Sequence, residues 1–144
     1  MSFDRTRSAG FLANQMARLF AKGLQRNIRQ FGLAPAQFMT LLALWEEDGL
    51  TQRELTERLD VEQATMANTL TRMERDGFIE RRTLPEDGRS QSIHLTRKAI
   101  GLQEAATDAA KSVNATALGN LSEEERTLFL DLASRINSAL KERY

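Results

Sequence analysis

Hydrophobic positions recur at helical spacing along most of the chain. Over 8–31 apolar residues return mostly every three or four places, which predicts one long amphipathic helix. A second helix is expected over 36–47, with Pro35 in its first turn. Towards the C-terminus, Thr96 is expected to cap a long helix, and a capping box starting at Ser122 is expected to open a final one.

Two shorter helices are predicted between these long ones. Thr51 and Glu54 form a capping box that predicts a helix to about Leu59. After a turn, the next helix covers 62–76 and ends at Gly77, a residue suited to the left-handed position just past a helix end. Two short helices around a tight turn form a helix-turn-helix.

The hydrophobic period changes after this motif. Segments 78–83 and 92–95 alternate loosely between apolar and polar residues, and 85–88 has the composition of a turn. The pattern predicts a two-stranded hairpin with a protruding tip, where a wing would follow a helix-turn-helix. The predicted fold class is mainly α with a small β-hairpin wing, a winged helix-turn-helix flanked by long N- and C-terminal helices.

The helix over 62–76 has two chemically different faces. Met66, Leu70 and Met73 share one narrow arc and are expected to pack on the core. The opposite arc and its flanks combine small and hydrogen-bonding residues: Gln63, Ala64, Thr65, Ala67, Asn68, Thr69, Thr71, Arg72 and Arg75. A helix that enters the major groove needs such residues, because Asn68 has the groups to bind adenine and Arg72 those to bind guanine. The alternative is an ordinary solvated helix face.

The hairpin tip carries an arginine that suits the minor groove. Arg89 follows the turn, with Ser90 and Gln91 beside it, and Asp87 is placed to hold the guanidinium by a charge-assisted hydrogen bond. The alternative is a plain turn with a solvated arginine.

The terminal helices offer more apolar surface than a small helix-turn-helix core can cover. One face of the first helix is apolar, and so is a stripe on the last helix: Leu128, Leu132, Ile136 and Leu140. Large apolar surfaces mark interfaces, so a two-fold homodimer is expected. The alternative is a monomeric bundle that packs both stripes internally.

Composition narrows the function further. The 144 residues form one domain, with 20 Lys and Arg, 20 Asp and Glu, one His and no Cys. The lack of Cys excludes disulfides, thiolate metal sites and thiol-based sensing or catalysis. Net charge is zero, yet 1–35 carries six bases against one acid, a local balance of +5 that leaves room for a basic face. With no membrane span or signal segment in the pattern, a cytoplasmic protein is expected.

An enzyme is the competing class, and little in the sequence favours it. His94 lies on the polar side of a predicted wing strand without a recognisable nucleophile as its partner. The acidic run 123–125 starts a helix and is typical of capping rather than acid–base chemistry. Because phosphate loops and metal-ligand spacings are also missing from the sequence, no catalytic residue, cofactor or metal is predicted.

Several runs of residues together resemble the MarR family of bacterial transcription regulators. These are 55–59, 65–70, 73–81, 87–89 and 95–96, of which the most specific is Asp-x-Arg followed by Leu-Thr. The resemblance covers essentially the whole chain. It implies a winged helix-turn-helix homodimer on double-stranded DNA, with intertwined terminal helices, the helix 62–76 in the major groove and Arg89 in the minor groove.

The resemblance also implies that different segments of 1–144 serve dimerisation and DNA binding. Segments 1–34 and 97–144 would form the dimerisation helices, and 35–96 the DNA-binding lobe. The expected DNA contacts are Gln63, Ala64, Thr65, Asn68, Thr69, Arg72, Arg75, Asp87, Arg89 and Ser90. The implied function is a ligand-responsive repressor on a pseudo-palindromic operator; the alternative is a helical winged-helix adaptor that binds a protein.

Many regulators that this chain resembles respond to small, often aromatic or phenolic, anions. A pocket for such a ligand is expected between the dimer helices and the DNA-binding lobe, with Arg18, Phe20, Phe38 and Trp45 as candidates. The alternative is that these aromatic residues belong to the core, as aromatic residues at helical spacing usually do.

Three positions depart from the family pattern. Asp60 occupies a turn position where Gly is frequent, Glu62 stands where Ser, Thr or Asp usually caps the helix, and Ala99 replaces a common Gly. Glu is a weaker cap, although its charge suits a helix N-terminus. The departures leave the fold prediction intact and affect base preference, because Glu62 adds a negative charge near phosphate.

Overall fold

The computed structural model describes residues 2–144, with the side chains of Asp87 and Arg89 outside the described part. Over this range the chain forms six α-helices and three strands. In chain order they are α1 (Ala9–Ile28), α2 (Pro35–Glu46), β1 (Leu50–Thr51), α3 (Gln52–Leu59), α4 (Gln63–Arg75), β2 (Ile79–Leu84), β3 (Asp87–Leu95), α5 (Arg97–Ala117) and α6 (Glu123–Arg143). The predicted fold class, mainly α with a winged helix-turn-helix, is confirmed.

Local signals in the sequence set the helix boundaries. Complete capping boxes open α3 at Thr51 and α6 at Ser122, and the Thr96 side chain caps α5. Gly77 lies two residues after the end of α4 with φ +81°, and Gly32 follows α1 with φ +75°. Both angles fall in the left-handed region that favours glycine. The predicted helix ends are confirmed to within a few residues.

The sheet has one strand more than the sequence predicts. Its order is β1-β3-β2, all antiparallel, and Leu50 of β1 pairs with Ile93 of β3. The prediction of a two-stranded hairpin was therefore wrong, because a two-residue strand is too short to show alternation. Strand β3 also begins at Asp87, so the turn between β2 and β3 is confined to 85–86 and the predicted four-residue tip is shorter.

The core lies where α2, α3, α4 and the sheet meet the C-terminal part of α1 and the N-terminal half of α5. Its largest fully buried side chains include Phe38, Phe78, Ile28, Leu41, Leu44, Leu50, Leu55, Met66, Leu70, Met73 and Ile93. Helix α5 enters this core through Ala99 and Ala106, both 0% exposed. Because the side chain at position 99 is a methyl group, α5 packs closely there although the expected glycine is absent.

Asp60 adopts the backbone conformation that its position requires. It caps the end of α3 with φ 54° and ψ 45°, and is the one non-glycine residue with positive φ among residues 2–144. Asp tolerates this left-handed region better than most residues, because its short polar side chain can bond locally. Its Oδ2 lies 3.2 Å from Nζ of Lys141 near the end of α6.

Helix α6 is the least buried part of the fold. None of its residues is buried, and the stripe predicted from the sequence is exposed: Leu128 by 55%, Leu132 by 40%, Ile136 by 54% and Leu140 by 52%. The alternative of a monomeric bundle that packs this stripe internally is therefore not what the single chain forms. No helix in the described part of the chain is long and apolar enough to cross a membrane.

Candidate nucleic-acid interface

Helix α4 is anchored by one face and exposed on the other. Met66, Leu70 and Met73 are each at most 1% exposed, which confirms the inner arc predicted from the sequence. The exposed residues include most of the predicted outer set: Gln63, Ala64, Thr65, Asn68, Thr71, Arg72 and Arg75. The helix is thus held rigidly while it presents small and polar groups outward.

Two side chains on this outer face have groups available for a partner. Leaving aside Asp87 and Arg89, whose side chains are not described, no side chain forms a hydrogen bond or an ion pair with Asn68 or Arg72. An amide offers two donors and an acceptor oxygen, and a guanidinium offers five donors in a planar fork. These are the groups that form paired hydrogen bonds to base edges.

Thr69 does not belong to the outer face. Its side chain is only 8% exposed, and its Oγ1 donates a hydrogen bond of 2.9 Å to the carbonyl oxygen of Thr65. Thr69 was expected to contact DNA, but it lies far enough round the helix to be covered by the core. Its hydroxyl satisfies its own donor within α4, as threonine commonly does in a helix.

Arg75 is tied to the residue that follows it. Its Nε donates to Oδ1 of Asp76 at 2.9 Å, and Gln37 of α2 donates to Oδ2 of the same carboxylate at 3.1 Å. The hydrogen bond from Arg75, followed by that from Gln37, lowers the pKa of Asp76. The same hydrogen bond raises the pKa of Arg75. Because Lys98 also donates to the Asp76 backbone carbonyl at 2.7 Å, this cluster joins α4 to α2 and α5.

The start of α4 lacks a side-chain cap. Glu62 occupies the N-cap position with extended backbone, but its carboxylate accepts no hydrogen bond from the first turn. The sequence-based expectation of a weak cap agrees with this geometry. First-turn N–H groups that lack an intrahelical partner face outward near Gln63, where phosphate oxygens are suitable acceptors.

The wing lies next to α4 through β2. Ser90 is half-buried in β3, and the side chains of Asp87 and Arg89 lie outside the described residues, so their expected pairing stays a prediction. Lower on the wing, Arg82 pairs with Glu80 at 2.8 Å and Arg81 lies 3.5 Å from Glu74 of α4. Most described arginines of this region are therefore already balanced by carboxylates.

His94 has partners that the sequence did not reveal. Its Nε2 shares a hydrogen bond of 2.7 Å with Oγ of Ser92, and its Nδ1 lies 3.8 Å from Oδ2 of Asp48. The expectation of a histidine without a serine partner was wrong, since residues 92 and 94 share one face of β3. Ser92 is only 6% exposed, and Asp48 also accepts from the Leu95 amide. The arrangement joins the base of the wing to the loop after α2 and leaves the serine no access to a substrate.

The four candidate ligand residues do not meet in one pocket. Phe38 is 2% exposed, and its ring packs edge-on against Trp45 at a centroid distance of 6.0 Å. Trp45 donates from its indole nitrogen to the Ala99 carbonyl at 3.1 Å. Both residues pack in or against the core of the single chain, which favours the alternative that these aromatic residues are structural. Phe20 instead lines an apolar groove of about 880 Å³ between α1, α5 and α6, whose wall does not include Arg18.

Comparison with known proteins gives a consistent result. The MarR family sequence model matches residues 33–91. The chain is 37% identical over 86 residues to the uncharacterized HTH-type transcriptional regulator YwoH of Bacillus subtilis, covering 60% of this chain and 62% of YwoH, less than two thirds of that relative's length. It is 33% identical over 107 residues to the transcriptional regulator HosA of Escherichia coli O111:H-, covering 74% of this chain and 79% of HosA.

Solved structures agree over a longer range. The structure of the S. aureus MepR–DNA complex matches with a TM-score of 0.83 at 28% identity, over 92% of this chain and 98% of MepR. Because it covers 92% of the chain, this likeness extends beyond the segment 33–91 matched by the family model and into the long helices at both ends. The chain therefore belongs to the MarR family, whose members regulate transcription and are not enzymes.

Proposed function

We propose that this regulator binds double-stranded DNA sequence-specifically as a homodimer, with α4 in the major groove and the wing against the neighbouring minor groove. The observation that carries the proposal is the outer face of α4, where Asn68 and Arg72 hold available donors on a helix anchored in the core. The DNA-bound MepR structure supports it, because its fold matches this chain over both the lobe and the long helices.

Base selection would fall to a few residues of α4. Ala64 is exposed and small, so it permits the backbone of the helix to approach the bases closely. Asn68 lies four residues later, on the same side of the helix, and Arg72 four residues after that. Asn suits adenine and Arg suits guanine, each through two hydrogen bonds. Thr65 and Thr71 flank this line and suit phosphate contacts.

Electrostatics would contribute less than in a strongly basic DNA-binding protein. The net charge is zero, and Arg75, Arg81 and Arg82 each lie within 3.5 Å of a carboxylate oxygen. A paired arginine neutralises phosphate poorly, because the carboxylate beside it is repelled by the same phosphate. We therefore expect weak non-specific binding and a shallow salt dependence, with discrimination resting on base contacts.

The homodimer is supported by the exposed apolar stripe of α6. Four side chains of one face are between 40% and 55% exposed although they are Leu or Ile. The first half of α1 adds Leu12, Met16 and Leu19, which are 39% to 62% exposed. A second copy of the chain would cover both surfaces. Two-fold symmetry then predicts a pseudo-palindromic operator with half-sites about one helical turn, roughly 34–36 Å, apart.

Repression relieved by a small aromatic or phenolic anion is a finer part of the same proposal. The apolar groove beside Phe20 supports it, since Arg26 on the groove wall supplies a positive charge for an anion. Leu12, Met16 and Leu19 also line the groove, so the ligand would lie at the edge of the surface that the second copy covers. The test is release of the operator by 4-hydroxybenzoate, with Phe20→Ala and Arg26→Ala expected to weaken the response. An unchanged operator affinity at millimolar 4-hydroxybenzoate would remove this compound as the ligand.

The experiment for DNA recognition is selection of bound duplexes from a random library, followed by titration of the enriched site. Wild type should enrich a pseudo-palindrome, and Arg72→Ala should relax one base pair per half-site by about 1–3 kcal/mol. Arg89→Ala should weaken binding and reduce the salt slope by about one for each wing. Lys111→Ala removes an exposed positive charge from α5 and serves as the charge-matched control. A library without enrichment would overturn the proposal and favour a protein-binding adaptor.

A further inference from the structure

Three polar side chains link the two helices of the helix-turn-helix. Gln52 is the first residue of α3 and Gln63 the first residue of α4. Nε2 of Gln52 donates to Oε1 of Gln63 at 3.1 Å, and lies 3.4 Å from the Gln63 backbone carbonyl oxygen. Nε2 of Gln63 in turn donates to Oγ1 of Thr56 at 3.4 Å, and Thr56 donates to the Arg53 carbonyl at 2.6 Å.

The resulting chain of hydrogen bonds has a single direction. Thr56 has used its only hydrogen on the Arg53 carbonyl, so its oxygen is left to accept. The hydroxyl oxygen of Thr56 therefore requires the nitrogen of the Gln63 amide, not its oxygen, to face it. The donor on Gln52 requires the oxygen of the same amide on the other side. The two contacts together fix which end of the Gln63 amide points in each direction.

The fixed amide of Gln63 still has half of its hydrogen-bonding groups unused. A glutamine side chain has two N–H donors and two acceptor positions on its oxygen, and these contacts use one of each. One donor and one acceptor remain, which is the combination that an adenine edge requires in the major groove. Gln63 is exposed at the start of α4, the end of the helix that enters the groove in helix-turn-helix proteins.

A purely structural role explains these contacts less well. Helices α3 and α4 are already joined through the buried side chains of Leu55, Met66 and Leu70. Hydrogen bonds between exposed amides compete with water and add little to such a junction. They do restrict the rotamers of Gln63 before DNA arrives, and a side chain ordered in advance loses less entropy on binding.

We propose that Gln52 is a positioning residue for base reading: with Thr56, it holds the amide of Gln63 in the orientation that contacts a base at one end of each half-site. The inference rests on the proposed DNA-binding function and deepens it. It assigns part of the sequence preference to a residue outside the recognition helix α4.

The test compares specificity profiles rather than affinities alone. Library selection and titration are carried out on the full-length wild type, Gln52→Ala, Gln63→Ala and the double variant, with Gln103→Ala on exposed α5 as the matched control. Gln63→Ala should flatten the preference at one base pair of each half-site by about tenfold. Gln52→Ala should flatten the same base pair, and the double variant should lose no more than Gln63→Ala alone.

Other results separate the possible failures. A uniform loss of affinity in Gln52→Ala, with the base profile unchanged, would show a merely structural role and overturn the inference. Flattening at a different base pair, or additive losses in the double variant, would also overturn it. If Gln63→Ala leaves every base preference intact, Gln63 has no reading role to be positioned. A wild type that enriches no sequence would remove the proposed function itself. Thermal unfolding of each variant shows that folding is retained.

Discussion

Replacing Leu132 with Glu should weaken the homodimer strongly while leaving the single chain folded. Leu132 is 40% exposed in the single chain, so a partner would cover about two fifths of its surface. Full burial of a leucine stabilises by about 1.5–3 kcal/mol, so the lost contact is about 0.6–1.2 kcal/mol per copy and roughly twice that for a two-fold interface. A carboxylate buried without a partner adds a further cost of at least about 1–3 kcal/mol. The dimer dissociation constant should therefore rise more than tenfold.

Sedimentation velocity over a range of protein concentrations measures this change directly. Leu130→Glu is the matched control, because Leu130 is 56% exposed on α6 and points about 160° away from Leu132 around the helix. The control should stay dimeric and unfold at the wild-type urea concentration. Leu132→Glu should still unfold cooperatively, but at a lower urea concentration, because it loses the stabilisation that dimerisation gives the folded chain. An unchanged dissociation constant in Leu132→Glu, or equal weakening in Leu130→Glu, would refute the assignment of this stripe to the interface.

Three further predictions concern stability, measured by urea unfolding. Gly49→Ala should destabilise by about 1–2 kcal/mol, since Gly49 has φ +79° and an added Cβ would lie 3.2 Å from Cε1 of His94. Gly101→Ala, in open space within α5, should instead stabilise by about 1 kcal/mol, and a loss of stability there would contradict the reasoning. The hydrogen bond from Arg75 lowers the pKa of Asp76, so its contribution is present above about pH 4 and lost on acidification below it. Asp76→Asn should reduce the wild-type decline in stability at low pH; an identical pH profile would count against this ion pair.

Much of the fold could be predicted from local signals in the sequence. Capping boxes at Thr51 and Ser122 and the glycine at position 77 act through neighbouring atoms, so the residues themselves specify the boundaries. Strand β1 could not be found in this way. Its two residues become a strand only because β3 lies beside them, and pairing between residues 50 and 93 leaves no trace in a local period.

The same distinction applies to the candidate site. A helical-wheel projection of α4 identified the buried face of the helix correctly but placed Thr69 at its flank. At a flank, a small rotation of the helix decides whether a side chain is buried. Phe38 and Trp45 have helical spacing whether they line a pocket or fill the core, and their burial depends on α5, more than fifty residues away along the chain. Gln52 was missed because its contact to Gln63 crosses the turn, although two glutamines at the first positions of consecutive short helices are a visible signal.

The free energies of individual contacts indicate which of the long helices can couple ligand binding to α4 in the proposed regulator. The ion pair between Lys141 of α6 and Asp60 in the turn before α4 is more than half exposed, and such pairs contribute about 0–1 kcal/mol. Coupling between ligand and DNA typically requires about 1–3 kcal/mol, which this contact alone does not supply. Helix α5 is better suited to transmit this coupling between ligand and DNA. Near its C-terminal end, Val113 of α5 packs against Gly23 of α1. At its N-terminal end, Ala99 is buried in the core, and its carbonyl accepts a hydrogen bond from Trp45. A signal at the groove between α1 and α5 would therefore reach the DNA-binding lobe as a movement of α5, because its two ends are fixed to the two parts that must be coupled.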